Sequence, residues 1–506
     1  MSRRGKIQAA VVSLAVALVV LIPLCLRWQA QWHLSAYRKK LIAAGEKLTV
    51  AELAPKRNWQ ATNAAEFLRL AATIQPFWQY QPTAMLEIKP GVARAAWLQP
   101  QLMEKVDAIN PTTNVWPAMI DAMKKNEKTL DELQRLVDEG GIEFIQDYSQ
   151  PDLNEYLFLG PVKQLVLDFS ARFLLALHQG RTQEAFRDLK SCSIASQLLA
   201  KDPLMIDQLV RYACMSITLS ACWEALQAGV WTDGQLAELQ RQWEQADILA
   251  LAAATLAMER AREQMEFQQA RASRQALQDM SGGASGIRNN SEIWNDFLLN
   301  ARTLPGELLA NYPRYWGWRW IWSYRDEQRY LEIMQTMIEA TRDAQKRRST
   351  VTFPKDRPDS AVFSPLIAEG FNVTDLMTGP IEKFVGHASR AQTMANIVTA
   401  AIALERFRLA HHAYPDALAK LAPEFVQTVP VDCMDDHDLR YRLNPDGTYL
   451  LYSVGSDGVD NGGDPTPEEG KRPGFLNGRD WVWSRPATAE ELQAYEAEQS
   501  KPTRRK

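Results

Sequence analysis

Cysteine and histidine are scarce in this chain, with five and six in 506 residues. No two cysteines stand as C-x-x-C, and none has zinc-site spacing. Cys192, Cys214 and Cys222 read as buried free thiols on helices, with a disulfide among them as the alternative. Also absent are G-x-S-x-G, S-x-x-K, H-E-x-x-H and a Walker lysine, so none of the enzyme classes that carry those motifs is indicated. A strong charge imbalance is missing too: 57 Lys and Arg face 61 Asp and Glu, for a net charge of -4. Nothing in that balance points to nucleic acid.

Other pairs of chemically capable residues are weak. His411-His412 beside Asp416 could bind a transition metal, but neighbours on a helix face different ways, so a solvated helix end is the better reading. Cys433-Met434-Asp435-Asp436-His437 reads as a polar turn. The glycines of Ser281-Gly282-Gly283-Ala284-Ser285-Gly286 lack a following Gly-Lys-Ser/Thr and a preceding strand, so they read as a linker.

What is present is a globular composition, 46% hydrophobic and 23% charged, on a chain long enough for more than one domain. Arg3, Arg4 and Lys6 precede an apolar run over residues 9–26, with Trp28 and Trp32 after it. As a helix those residues span about 27 Å, close to the hydrocarbon thickness of a bilayer. The run is longer than a signal-peptide core and no small-x-small site follows, so an uncleaved anchor is expected, with its N-terminus inside.

From about 34 to 375 the pattern is helical. Thr49 to Glu52 and Thr232 to Gln235 are capping boxes. Met119, Ile120, Met123, Leu130, Leu133 and Leu136 recur at helical spacing, with Gly140-Gly141 as the stop. Residues 161–177 and 181–199 form a helical hairpin with Gly180 at its turn, and another helix stops at Gly229. Helix pairs in series suit an α-solenoid or an irregular helical domain equally well, since no strict repeat is found. Residues 312–330 hold Tyr312, Tyr315, Trp316, Trp318, Trp320, Trp322, Tyr324 and Tyr330, with Arg314, Arg319 and Arg325 among them. Core packing accounts for such a segment; a membrane-interface belt, a glycan-stacking surface and a partner site are the functional alternatives. Residues 354–364 are a proline-containing connector.

The most informative stretch is 449–483. Leu450, Leu451, Tyr452 and Val454 suit a short buried strand. Ser456-Asp457-Gly458 and Asp460-Asn461-Gly462-Gly463-Asp464 then crowd carboxylates and glycines into a loop, and Asp480 opens a returning strand through Trp483. Calcium takes six to eight oxygens, and such a loop can offer carboxylates and carbonyls together. The same residues are ordinary turn formers.

A set of further features accompanies this loop: a helix over about 390–411 with Met394, Ile397, Ala401 and Leu404 on one stripe, Ala413-Tyr414-Pro415, Leu418, Leu421, Val429-Pro430-Val431-Asp432, Asn444-Pro445-Asp446-Gly447 and the Tyr-Ser-x-Gly-x-Asp-Gly run ending at Gly458. Together these make residues 394–483 resemble the periplasmic part of a type II secretion major pseudopilin, the G-type subunit. The resemblance implies calcium on Asp457 and Asp480; Asp460 and Asp464 have no assured counterpart in the family and are weaker candidates from the composition of the loop. It also implies a helix packed on a small antiparallel sheet. A pilin-type processing signal is lacking, because Ala10 stands where the family has glutamate. That argues against a subunit cleaved and polymerised into a pseudopilus.

The expected protein is mainly α, with an N-terminal transmembrane helix (1–33), a large α-helical body (34–375), a small pseudopilin-like α+β module (376–484) and a charged tail (485–506). Its expected role is a membrane-anchored, single-pass envelope protein of a bacterial inner membrane. Most of the chain would be periplasmic, in a structural or interaction role with protein partners and no nucleic acid. The alternative is an envelope enzyme with a site in the helical body near the aromatic segment. Two carboxylates with perturbed pKa values there would favour it.

Overall fold

The computed structural model describes residues 3–56, 63–104, 113–144, 148, 156–273, 276, 318–347, 351 and 373–499; of 3–12, 14–20, 78 and 373–379 it describes the backbone alone. The linker at 281–286, the connector at 354–364, Tyr312, Arg314, Tyr315 and Trp316 lie outside these residues. The protein is mainly helical, in two compact units.

Unit 1 comprises Met1–Ala54, Ala253–Arg342 and Thr352–Gly386. Its first helix, α1, runs from Arg3 to Ala43. Among the described residues no helix is long and apolar enough to cross a membrane. Most side chains of the 9–26 run lie outside the described ones. A short α2 (Val50–Leu53) follows with its capping box formed: Thr49 Oγ1 accepts from Glu52 N, and Thr49 N donates to the Glu52 carboxylate at 3.1 Å. Glu46, just ahead, accepts from Arg260, Arg342 and Gln335. Burial alone would raise its pKa; these partners outweigh burial and hold the carboxyl down to about 2.

Unit 2 comprises Pro55–Ala252, Asp343–Val351 and His387–Lys506. Its helices are α3 (Ala64–Ala71), α4 (Trp116–Glu139), α5 (Leu159–His178), α6 (Thr182–Ala195), α7 (Met205–Ala228) and α8 (Asp233–Glu244). Three longer helices, α9 (Ile248–Ala272), α10 (Ser323–Arg347) and α11 (Val373–His411), are divided between the two units along the chain. The last is α12 (Ala489–Gln499), which Thr488 and Glu491 cap reciprocally.

The stops read from the sequence hold. Gly140 ends α4 and Gly229 ends α7, both at positive φ. Gly180 N donates to Leu177 O and Arg181 N to Ala176 O, closing α5 in a Schellman turn before α6. On α4, Met119, Met123, Leu130, Leu133 and Leu136 are buried as their spacing requires, but Ile120 is exposed. The helix α5 packs on α6 and α7, and Phe169, Phe173, Cys214, Cys222 and Trp223 are fully buried. All three cysteines read as thiols are free, and burial pushes Cys192 and Cys214 up to about 12.

Four short strands interrupt the helical pattern before residue 115: β1 (Leu86–Lys89), β2 (Val92–Arg94), β3 (Met103–Glu104) and β4 (Thr113–Asn114). At two to four residues each they are too short to show a period. The remaining strands are β5 (Val431–Asp432), β6 (His437–Asp438), β7 (Arg440–Leu443), β8 (Tyr449–Ser453), β9 (Trp481–Val482) and β10 (Arg485–Pro486). The order β7-β8-β9 is antiparallel, with Arg440 opposite Tyr452 and Ser453 opposite Trp481. Then β10 leaves that sheet and pairs in parallel with β2, as the outer strand of β1-β2-β10.

Two adjacent residues of α7 position this arrangement. Trp223 Nε1 donates to Ser484 O at 2.7 Å, next to β10. Glu224, fully buried, accepts from Met85 N at 2.8 Å and from Ala96 N at 3.0 Å, one at each end of the β1–β2 hairpin. Desolvation lifts Glu224 to about 7, and it lifts the buried Asp168 on α5 to about 7 as well. An acid raised on folding stabilises the protein most below its unfolded pKa. That stability is lost as pH rises through the folded pKa. The melting temperature of the full chain should therefore rise as pH is lowered from about 7.5 to about 5.5. The double variant Glu224→Gln, Asp168→Asn should flatten that slope. A wild-type melting temperature that falls across the same window would show that these groups are not buried as described.

Candidate functional site

The loop between β8 and β9 is built on backbone that needs glycine. Gly455 has φ +73°, and a Cβ there would run into the Arg479 carbonyl. Gly463 has φ +83°, and its Cβ would meet Leu450 Cδ2 at 2.8 Å. The chain thus turns tightly beside β8 and folds back on the segment that leads into β9.

Asp480 is what closes it. Its side chain is fully buried. Oδ1 accepts from Asn461 N at 3.2 Å, and Oδ2 accepts from Gly463 N at 2.6 Å and Asp464 N at 3.0 Å. In return Asp480 N donates to Asp464 O at 3.0 Å. The carboxylate is a fixed anion in a cradle of three N–H groups. The other three candidates do not join it. Asp457 is exposed and accepts from its own Val459 N at 2.9 Å. Asp460 accepts from Tyr452 Oη at 3.0 Å and from Arg440 Nε at 3.4 Å. Asp464 accepts from Thr466 N at 3.0 Å and pairs with Arg479 at 3.5 Å.

Calcium needs converging oxygens with free lone pairs. Among the described residues no three His, Cys, Asp or Glu side chains are grouped to hold a metal ion. Both Asp480 oxygens already face N–H donors, and two of the other three aspartates face arginines. These four side chains, as placed, do not fit a calcium shell.

A second buried carboxyl group, Asp432, meets the start of the loop. Asp432, fully buried at the end of β5, accepts from Ser453 Oγ at 2.8 Å, Met434 N at 3.0 Å and Val454 N at 2.9 Å. Burial raises its pKa. Arg440 on β7 lies 3.6 Å from Asp432 and donates to Asp435 at 2.9 Å. The Cys433 to His437 segment is the turn between β5 and β6, as its composition indicated. The signal available in the sequence was a lone aspartate between a strand-like Val431 and that turn.

A different surface belongs to unit 1. On α1, Leu21, Ile22, Leu24 and Leu26 are 57%, 52%, 46% and 39% exposed, while Pro23 and Arg27 on the remaining side are half-buried. Beyond them only one stripe is buried, at Ala30, Leu34 and Leu41. Trp28 and Trp32 are exposed. Arg27 lies over the Trp320 ring at 4.6 Å and the Tyr324 ring at 5.0 Å, and donates to Arg319 O at 3.0 Å. Arg38 and Arg271 both pair with the buried Glu327. The aromatic segment is therefore mixed: Trp318 and Tyr330 are core, while Trp320 is exposed beside α1.

Comparison of the chain with protein-family models, with curated proteins and with solved structures finds no match in any of the three.

Replacing Asp480 by Asn keeps the shape but sets an NH2 group against N–H donors. The loss should be about 2 kcal/mol or more in denaturant unfolding. Asp457→Asn should change stability by less than about 0.5 kcal/mol, as an exposed turn residue. Equal effects of the two substitutions would contradict the cradle.

Proposed function

We propose that this protein is a membrane-anchored envelope protein with a structural or interaction role, held by residues 9–26 and displaying unit 2 outside the cytoplasm. The observation that carries the reading is the group of exposed apolar side chains on α1. Leu21, Ile22, Leu24 and Leu26 stand exposed together, which is unfavourable in water, while Pro23, Arg27, Ala30 and Leu34 form the covered stripe of the helix. Trp28, Trp32 and Trp320, with Arg27 among them, suit the level of lipid headgroups. The basic residues before the run set the N-terminus inside.

The resemblance of residues 394–483 to a G-type pseudopilin supports an envelope setting linked to type II secretion or pilus-like machinery. The paired strands β7, β8 and β9 beneath the C-terminal part of α11 are consistent with it: Asn396 Nδ2 donates to Val431 O at 2.7 Å, and Arg390 lies over the Trp481 ring at 5.3 Å. On this reading the loop is locked by Asp480 in place of calcium.

An enzyme is the second reading, and one arrangement favours it. Glu263 and Glu266 on α9 are half-buried, and desolvation raises both pKa values. The neighbouring Phe267 stacks near Trp318 and Tyr330. This is a pair of perturbed carboxylates beside the aromatic segment. Against it, neither carboxylate is matched by a recognised catalytic motif.

The full chain should sediment with membranes and resist alkaline extraction, while a chain beginning at Arg27 should be released. A reporter active only in the periplasm, fused after Lys506, should be active. Full-length protein soluble without detergent, or an inactive reporter, would overturn the anchor and its orientation respectively. Loss of an activity on envelope polymer in Glu263→Gln, with anchoring unchanged, would shift the reading to an enzyme.

A further inference from the structure

Unit 2 contains a cavity of about 460 Å³. That volume lies within the range of small-molecule sites, about 300–1,000 Å³. Its walls come from the end of α8 and start of α9, from the C-terminal part of α11, from Gln345 and from the segment 426–433.

The lining has a definite chemistry. Among the described residues it contains no lysine, arginine or histidine. A phosphate or carboxylate ligand would find no counter-charge there. Four carboxamides line it, Gln345, Gln392, Asn396 and Gln427, with the hydroxyls of Thr399 and Thr428. A carboxamide both donates and accepts, as a sugar hydroxyl does. Two carboxylates, Glu244 and Asp247, add acceptors, and each already receives an amide donor: Gln240 Nε2 at 2.7 Å and Gln345 Nε2 at 2.9 Å. A cationic ligand would have no use for the carboxamide donors. Apolar surface from Trp243, Val429 and Pro430 completes the wall.

The amides are held in fixed orientation. Ile248 N donates to Gln392 Oε1 at 3.1 Å, Gln392 Nε2 to Asn396 Oδ1 at 3.2 Å, and Asn396 Nδ2 to Val431 O at 2.7 Å. This relay runs from the first residue of α9 across α11 to β5. It fixes which edge of each amide remains for a ligand, so little ordering is left to binding. We propose that the cavity bounded by α8, α9, α11 and the segment before β5 binds a neutral polyhydroxylated ligand, a saccharide. The inference stands on unit 2 alone and does not depend on the anchor.

The test uses the full chain in a zwitterionic detergent without a sugar headgroup. Glucose, N-acetylglucosamine, maltose and cellobiose are titrated by calorimetry and by saturation-transfer NMR, beside spermidine and inorganic phosphate. Saturable binding of at least one saccharide is expected, with no binding of phosphate. Gln427→Ala removes an exposed amide, and Asp247→Asn keeps the cap that Ala250 N makes on residue 247. Each should weaken that saccharide about tenfold or more, with the melting temperature unchanged. Binding of spermidine alone, no saccharide binding up to about 10 mM, or saccharide binding indifferent to both substitutions would overturn the proposal.

Discussion

A carboxylate removed from water must be met by donors, and unit 2 is organised by three that are met largely by backbone N–H groups. Glu224 holds both ends of the β1–β2 hairpin. Asp432 holds the end of β8. Asp480 holds the loop that follows it. Each buried anion bridges segments far apart in sequence. Leaving such a charge unmatched would cost several kcal/mol, so the backbone around each has little freedom. With Trp223 beside Glu224, one turn of α7 connects the early hairpin to the last strand of the sheet. Residues 394–483 are consequently part of a larger compact unit with residues 55–252.

Unit 1 relies on the same principle with side-chain donors. Glu46 gathers Arg260, Arg342 and Gln335, and Glu327 gathers Arg38 and Arg271. These pairs bring α1, α9 and α10 together just beyond the exposed apolar stretch of α1. Trp320 is held beside α1 by Arg27.

Local signals were the readable part of the sequence. The capping boxes at Thr49 and Thr232 and the stops at Gly140, Gly180 and Gly229 depend on a few adjacent residues, and all are found. Strands of two to four residues carry no period, so β1 to β4 were invisible, and the pairing of β10 with β2 spans most of the chain. Asp480 was named with Asp457 as a candidate calcium ligand, and the structure places three backbone N–H donors on its carboxylate. A carboxylate near glycines and asparagine looks the same in sequence whether it faces a cation or N–H groups. Which it faces depends on the direction of the backbone at Gly463 and Asp464. The cavity was hidden for a similar reason: Gln345, Gln392 and Gln427 meet only after folding.

Hydrogen exchange measured amide by amide on the full chain in detergent micelles addresses the carboxylate cradle most directly. The N–H groups of Gly463 and Asp464 should exchange slowly, at equal rates in chelator and in millimolar calcium, and should become fast in Asp480→Asn. Fast exchange in chelator that slows only when calcium is added would mean that a metal, and not Asp480, holds the loop.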